Sequence, residues 1–146
     1  MSVGVYVLSQ LVARAAELLG PDFDVEVVET HHKLKIDAPS GTAFRLADVA
    51  KAARGGGNYV HGREGRPGPR PAGEIGVVAV RGGDVIGDHS VHFLGNGERI
   101  ELSHRASSRD LFAEGAVRAA RAIAGKPAGR YGLGDVLAWS AVPAAR

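Results

Sequence analysis

The segment from residue 23 to residue 53 constrains the fold most strongly, because a strand pattern within it runs into a helix start. Apolar and acidic residues alternate from Phe23 to Val27, which predicts a β-strand over roughly residues 23–30. Pro39-Ser40-Gly41-Thr42 then opens a helix that is predicted from about Ser40 to Ala53. The chain is therefore expected to combine a sheet with helices that pack on it.

The start of this helix is suited to binding an anion. Its first turn leaves four backbone N–H groups without partners and carries partial positive charge. Gly41 leaves room for close approach, Ser40 and Thr42 offer hydroxyl groups, and Lys35 adds a full charge a few residues upstream. A carboxylate or a phosphate fits such a place. The alternative that Ser40 or Thr42 only caps the helix stays open.

Two adjacent histidines, His31 and His32, lie between the strand and the helix start. A histidine can deliver or accept a proton near neutral pH. Neighbours on a regular strand point to opposite faces, and no third ligand follows at a familiar spacing, so no metal site is predicted. We expect one imidazole to be structural and the other to be an acid, and the spacing does not decide which is which.

Composition excludes several classes of protein. The chain has 146 residues, of which 45% are hydrophobic, and this suits one domain with a core. A net charge of +2 is too balanced to predict a nucleic-acid partner, and the absence of cysteine excludes disulfides and thiolate chemistry. No apolar run approaches the ~20 residues of a membrane span, and no basic secretion signal opens the chain. We therefore expect a cytoplasmic protein without a membrane partner.

The remaining patterns complete an α+β domain, with a mixed or antiparallel sheet and helices on one face. Ser2 is predicted to cap a first helix that ends at Gly20-Pro21. Further predicted elements are strands near residues 75–80, 91–94 and 100–103, the last two joined by a turn at Gly95-Asn96-Gly97, a third helix capped by Ser107 with Asp110, and a last short strand at Asp135-Val136-Leu137.

One predicted strand is apolar on both faces. Val78 and Val80 of this strand, together with Leu94 of the next, would lie on the sheet face away from the helices. A sheet does not leave that much apolar surface in water, so we expect a partner to cover it. The glycine- and proline-rich stretch at residues 55–72 is either a flexible surface loop or a contact to a neighbouring subunit, and both interpretations stay open.

Residues 29–43 read E-T-H-H-K-L-K-I-D-A-P-S-G-T-A. They resemble the 4-hydroxy-tetrahydrodipicolinate (dihydrodipicolinate) reductase family, whose pattern E-x-H-H-x-x-K-x-D-A-P-S-G-T-A is matched at every specified position. Gly62-Arg63-Glu64-Gly65, Arg81–His89 and Ser103–Arg109 are similar to other segments of that family. The resemblance extends over nearly the whole chain, to about Leu137. Tyr6 departs from it, because the family usually has Asn there.

The resemblance implies a reaction in which NADH or NADPH reduces an unsaturated cyclic dicarboxylate to tetrahydrodipicolinate, in a homotetramer. His31 and Lys35 are then implied to be catalytic, with His31 as the proton donor. The implied substrate ligands are His32, Lys35, Ser40, Gly41 and Thr42.

The glycine fingerprint of a dinucleotide-binding domain is absent from the sequence. We therefore expect residues 1–137 to form the substrate-binding and oligomerisation domain of such a reductase, followed by a tail at residues 138–146. The dinucleotide-binding domain is expected to be a missing partner, and no NADH or NADPH is expected to bind to this chain alone. The alternative is a stand-alone assembly domain that binds anions without catalysis.

Overall fold

A computed structural model describes residues 1–140 and contains four α-helices and five strands in that range. The elements, in chain order, are α1 Val3–Leu19, a 3₁₀ turn Gly20–Asp22, β1 Asp24–His31, α2 Gly41–Ala53, β2 Asn58–Val60, β3 Glu74–Arg81, β4 Asp88–Leu94, β5 Arg99–Arg105, α3 Asp110–Ile123 and α4 Leu133–Ser140.

The strands form one mixed sheet in the order β2-β3-β1-β4-β5. The central strand β1 is parallel to β3 and antiparallel to β4, while β2 extends the parallel side and β5 the antiparallel side. Val27 pairs with Val77 on one side and with Val91 on the other. These three buried side chains form an apolar row across the middle of the sheet.

Helices α1 and α2 cover one face of this sheet, which confirms the predicted α+β class. The core is made of buried apolar side chains from α1, α2 and the three central strands, namely Leu8, Val12, Ala16, Val25, Val27, Ala43, Leu46, Ala47, Ala50, Ile75, Val77, Val91 and Phe93. The predicted cap of α1 is also confirmed, because the Oγ of Ser2 accepts a hydrogen bond from the backbone N of Val5 at 3.1 Å.

The opposite face of the sheet is only partly covered. Val80 and Leu94 are 45% and 38% exposed on it, and Val78 is half-buried. At one end of this face the loop after β2 contributes Arg63 and Arg70, which both pair with the carboxylates of Glu26 and Glu74. The apolar part of this face therefore remains open to solvent in the single chain.

The end of the chain differs from its prediction. Asp135-Val136-Leu137 lies inside helix α4, so the predicted strand is wrong. A three-residue apolar run does not distinguish a strand from a helix, whereas the carboxylate of Asp135 accepts a hydrogen bond from the backbone N of Gly132 at 2.8 Å and supports a helix start. The domain boundary expected after Leu137 falls within this helix. Residues 141–146 of the expected tail lie outside the described residues.

Two other local predictions need correction. Helix α3 begins after Arg109, which makes no side-chain cap, and the hydroxyl that bonds the backbone N of Asp110 at 3.0 Å is that of Ser108 rather than Ser107. The stretch at residues 55–72 is not loop throughout, because it contains the short strand β2.

One stretch is long and apolar enough, by length and composition alone, to cross a membrane. It covers the 20 residues Val3–Asp22, with a mean hydropathy of 1.3, so the expectation that no stretch approaches this length has to be corrected. This is weak evidence, because core helices pass the same test, and the inner face of α1 packs into the core through Leu8, Val12 and Ala16.

Candidate functional site

A buried carboxylate, Glu29, lies at the centre of the predicted site. It is on the helix-facing side of β1 and is 0% exposed. Its Oε1 accepts hydrogen bonds from the backbone N of Ser40 at 2.9 Å and from Nη2 of Arg81 at 2.8 Å. Its Oε2 bonds Nη1 of Arg81 at 2.8 Å and the ring Nδ1 of His31 at 2.6 Å. One side chain thus joins the predicted proton donor to the predicted anion site.

The surroundings keep Glu29 charged. Burial alone would raise the pKa of this carboxyl, but the hydrogen bonds from Arg81, His31 and the backbone of Ser40 outweigh burial, so the pKa lies below its ordinary value of 4.5. The carboxylate is therefore ionised at neutral pH. Arg81 supplies the compensating charge and also donates to the carbonyl oxygen of Asp37 at 2.8 Å, which ties the loop before α2 to the sheet.

Ser40 begins helix α2 as its N-cap. Its Oγ accepts a hydrogen bond from the backbone N of Ala43 at 3.2 Å, so the capping interpretation of Ser40 is confirmed. The backbone N–H groups of Gly41 and Thr42 make no hydrogen bond within residues 1–140, and no atom beyond its chain neighbours and its own helix backbone lies within 4 Å of the position that a Cβ of Gly41 would take. These two N–H groups are the donors that the helix start offers to an anion.

A second imidazole, that of His89 on β4, lies beneath this helix start. Its Nε2 is 3.1 Å from the Oγ of Ser40, and its ring meets the ring of His31 edge to face at 5.2 Å. His89 is 4% exposed, and burial, followed by the nearby charge of His31, lowers its pKa to about 4. The ring is therefore neutral at physiological pH. Sequence reasoning did not assign His89 to the site, although its register opposite Glu29 places it there.

The loop between β1 and α2 carries the remaining predicted ligands, His32 and Lys35. The Nζ of Lys35 donates to Oδ1 of Asp37 at 2.6 Å, and no hydrogen bond within residues 1–140 joins Lys35 to the helix start. That hydrogen bond is the main reason why the pKa of Asp37 lies below its usual value. Lys35 is thus paired with a neighbouring carboxylate rather than with the α2 start.

His32 is close to a cation that sequence reasoning did not assign to the site. Its Nε2 lies 3.3 Å from Nη2 of Arg109, the residue before α3. The two residues are 77 positions apart, so only the fold brings them together. Their contact brings a guanidinium, a group well suited to carboxylates, next to His32.

Comparison with known proteins identifies the family. A family model described as "Dihydrodipicolinate reductase, C-terminus" matches residues 4–137. The chain is 58% identical over 140 residues to a 4-hydroxy-tetrahydrodipicolinate reductase of Anaeromyxobacter sp. and 56% identical over 139 residues to one of Myxococcus xanthus, covering 94% of this chain in each case. It spans about half the length of these relatives, 52% and 51% respectively.

A solved structure has the same fold. It is a dipicolinate-bound dihydrodipicolinate reductase from Paenisporosarcina sp. TG-14, which matches 80% of this chain and 44% of its own with a TM-score of 0.62 and 27% identity. These matches favour the reductase over the alternative of a stand-alone assembly domain. The chain belongs to the dihydrodipicolinate reductase family and corresponds to its C-terminal domain.

Proposed function

We propose that this chain forms the substrate-binding part of a 4-hydroxy-tetrahydrodipicolinate reductase and that it takes a cyclic dicarboxylate at the start of α2. The observation that carries the proposal is the sharing of one buried carboxylate: His31 and the backbone of Ser40 bond the two oxygens of Glu29 at 2.6 and 2.9 Å. A proton-transfer group and an anion-binding helix start are thereby held side by side. The names of the relatives and the dipicolinate bound to the similar reductase support the same ligand class.

Each residue of the site has a role in this proposal. The backbone N–H groups of Gly41 and Thr42 hold one carboxylate, and Lys35 leaves Asp37 to neutralise it. Arg109 supplies positive charge for the other carboxylate, and the ring of His32, whose Nε2 accepts a hydrogen bond from that guanidinium, is the second ligand beside it. His31 protonates the substrate when hydride arrives at the neighbouring carbon, because the electron pair that the hydride displaces needs an acid within hydrogen-bonding reach.

The hydride donor of this proposal is NADH or NADPH. The described residues do not fit a dinucleotide, because the two helices that follow strands begin after Pro39-Ser40 and after Ser108-Arg109 rather than in a glycine-rich phosphate loop. We therefore assign no cofactor contact to residues 1–140. Their contribution is to bind and orient the dicarboxylate and to deliver the proton.

We further propose a cytoplasmic homotetramer, and the exposed sheet face supports the assembly part of this proposal. Val80 and Leu94 are open to solvent on the face that α1 and α2 do not cover. Burying such side chains against the same face of another copy would remove their apolar surface from water. This burial stabilises an interface by about 25 cal/mol per Å². The loop at residues 61–73, fastened to this face by Arg63 and Arg70, lies at its edge.

Calorimetric titration of the chain with dipicolinate tests the proposed ligand. We expect the unaltered chain to bind, and Lys35→Ala to weaken binding by about 1.5–3 kcal/mol, the range for a hydrogen bond to a charged group. Lys33→Ala is the matched control, because Lys33 is an exposed lysine of the same loop. A chain that does not bind dipicolinate, or equal losses in the two variants, would contradict the proposal.

A further inference from the structure

The four bonds to Glu29 determine where the proton of His31 sits. Three of them come from groups that can only donate, namely the two Nη atoms of Arg81 and the backbone N of Ser40. An ionised carboxylate can only accept. The fourth partner, Nδ1 of His31 at 2.6 Å, must therefore donate, so this nitrogen carries the proton and Nε2 is the nitrogen that can gain or lose one.

The side chain of His31 is 12% exposed, and a glycine lies beside its Nε2. A Cβ at position 87 would lie 3.0 Å from this nitrogen, so the glycine there keeps a side chain away from it. The ring of His89 meets the His31 ring at an interplanar angle of 78° and supports it from below. The charged and titratable groups that face His31 are thus Glu29 on its own strand, Arg81 on β3 and His89 on β4.

We propose that Glu29 is a positioning residue: it keeps one proton on Nδ1 of His31, so that Nε2 is the atom that takes up a second proton from solvent and passes it to the substrate, and it ties that ring to the anion-binding start of α2 through the Ser40 backbone. The separation between the acid and the bound carboxylate is then set by one rigid side chain. This inference rests on the proposed function, because it names what orients the proposed proton donor.

The variant Glu29→Gln separates this role from plain charge neutralisation. Glutamine has one accepting oxygen and one donating NH₂ group, while donors surround both ends of the side chain. If the NH₂ group faces His31, the ring must accept at Nδ1 and carry its proton on Nε2 instead. If it faces the other way, the Ser40 N–H loses its acceptor. Glutamine therefore breaks at least one of the two links.

The experiment is a long-range proton–nitrogen correlation spectrum of the chain with nitrogen-15 histidine, at a pH where the ring is neutral, together with hydrogen exchange of the Ser40 amide. In the unaltered chain we expect a protonated Nδ1 and a bare Nε2 on His31. In Glu29→Gln we expect either the opposite tautomer or exchange at Ser40 that is faster by about tenfold or more. Glu26→Gln is the matched control, because it removes an arginine-paired carboxylate from the opposite face of the same strand and should leave both signals unchanged.

A His31 ring protonated on Nε2 in the unaltered chain would overturn the inference, whether or not any variant folds. Unchanged tautomer and exchange in Glu29→Gln would overturn it as well. Addition of dipicolinate is the separate test of the underlying function: we expect it to move the Nε2 resonance of His31 in the unaltered chain. If dipicolinate binds without moving it, the positioning role is wrong. If dipicolinate does not bind, the proposed function fails, and the tautomer and exchange results decide the role of Glu29 alone.

Discussion

Arg81 holds Glu29 through two parallel hydrogen bonds, from Nη1 to Oε2 and from Nη2 to Oε1, each 2.8 Å long. This two-pronged arrangement is the strong form of an arginine–carboxylate pair. Glu29 is fully buried, whereas the side chain of Arg81 is 20% exposed. The buried carboxylate is therefore neutralised by a cation that reaches the protein surface. The pair also connects β3 to the end of β1, where the proposed acid and helix start meet.

Replacing Arg81 with methionine is expected to destabilise the fold by about 3 kcal/mol, because it leaves a buried carboxylate without its cation. Partial exposure of Arg81 places this loss at the lower end of the usual range. Urea unfolding monitored by circular dichroism measures it. Arg14→Met is the control, since the Arg14–Glu17 pair is more than 60% exposed and should contribute less than about 1 kcal/mol. Equal losses in the two variants would show that Glu29 does not depend on Arg81.

The burial of His89 predicts a loss of stability in mild acid. Its pKa is lowered from 6.5 to about 4 in the folded chain, so the unfolded chain binds the proton more tightly. The fold therefore has its full stability above about pH 6.5, where His89 is neutral in both states. As the pH falls towards 4, the free energy of unfolding decreases by on the order of 2–3 kcal/mol. Free energies of unfolding measured across this window should show a flatter pH dependence in His89→Gln. Identical pH profiles would mean that His89 is not held neutral by the fold.

Local patterns predicted most elements, and contacts between distant residues account for what was missed. The cap at Ser2, the β4–β5 hairpin and the strand–helix order around α2 depend on neighbouring residues, which the sequence displays. Strand β2 has three residues in a glycine-rich stretch and exists because it pairs with β3, which no local period indicates. For the same reason the parallel order β2-β3-β1 could not be read from the chain.

The site likewise combines residues that the local sequence indicates with residues that only distant contacts bring in. His31 and Ser40 could be selected from one short segment, and the fold brings them to the two oxygens of Glu29. Arg109 reaches His32 from 77 residues away, so only the tertiary structure places it at the site. Lys35 differs in another way, because the sequence indicates an available ammonium group but does not show that Asp37 accepts its hydrogen bond.

The open sheet face predicts self-association. Light scattering at micromolar concentration is expected to give the mass of a tetramer, since Val80 is 45% exposed on a face that no helix of the described chain, residues 1–140, covers. Val80→Lys should lower the mass, because it would bury a charge in the contact. Leu18→Lys, which changes an even more exposed apolar residue on α1, should not. A monomer mass for the unaltered chain would rule out the proposed assembly.

Asp37 competes with the proposed ligand for Lys35. The ion pair at 2.6 Å must open before the ammonium group can reach a substrate carboxylate. Asp37→Asn is therefore expected to strengthen dipicolinate binding by a modest amount, because the competing ion pair has one largely exposed partner and is weak. Calorimetry measures the change, and Asp84→Asn serves as a control at another exposed acidic residue. Weaker binding in Asp37→Asn would mean that Asp37 helps to hold the ligand.

His31 and Lys35 should differ in what they contribute to ground-state binding. A proton donor acts mainly in the transition state, whereas an ammonium group already attracts the bound carboxylate. His31→Ala is therefore expected to change the dipicolinate affinity by less than about 0.5 kcal/mol, against about 1.5–3 kcal/mol for Lys35→Ala. Because removal of the ring also takes a donor from buried Glu29, His31→Asn provides a second variant whose amide can keep that hydrogen bond. If His31→Ala and His31→Asn both lost as much affinity as Lys35→Ala, His31 would be a ligand of the bound dicarboxylate and not a group that acts mainly in the transition state.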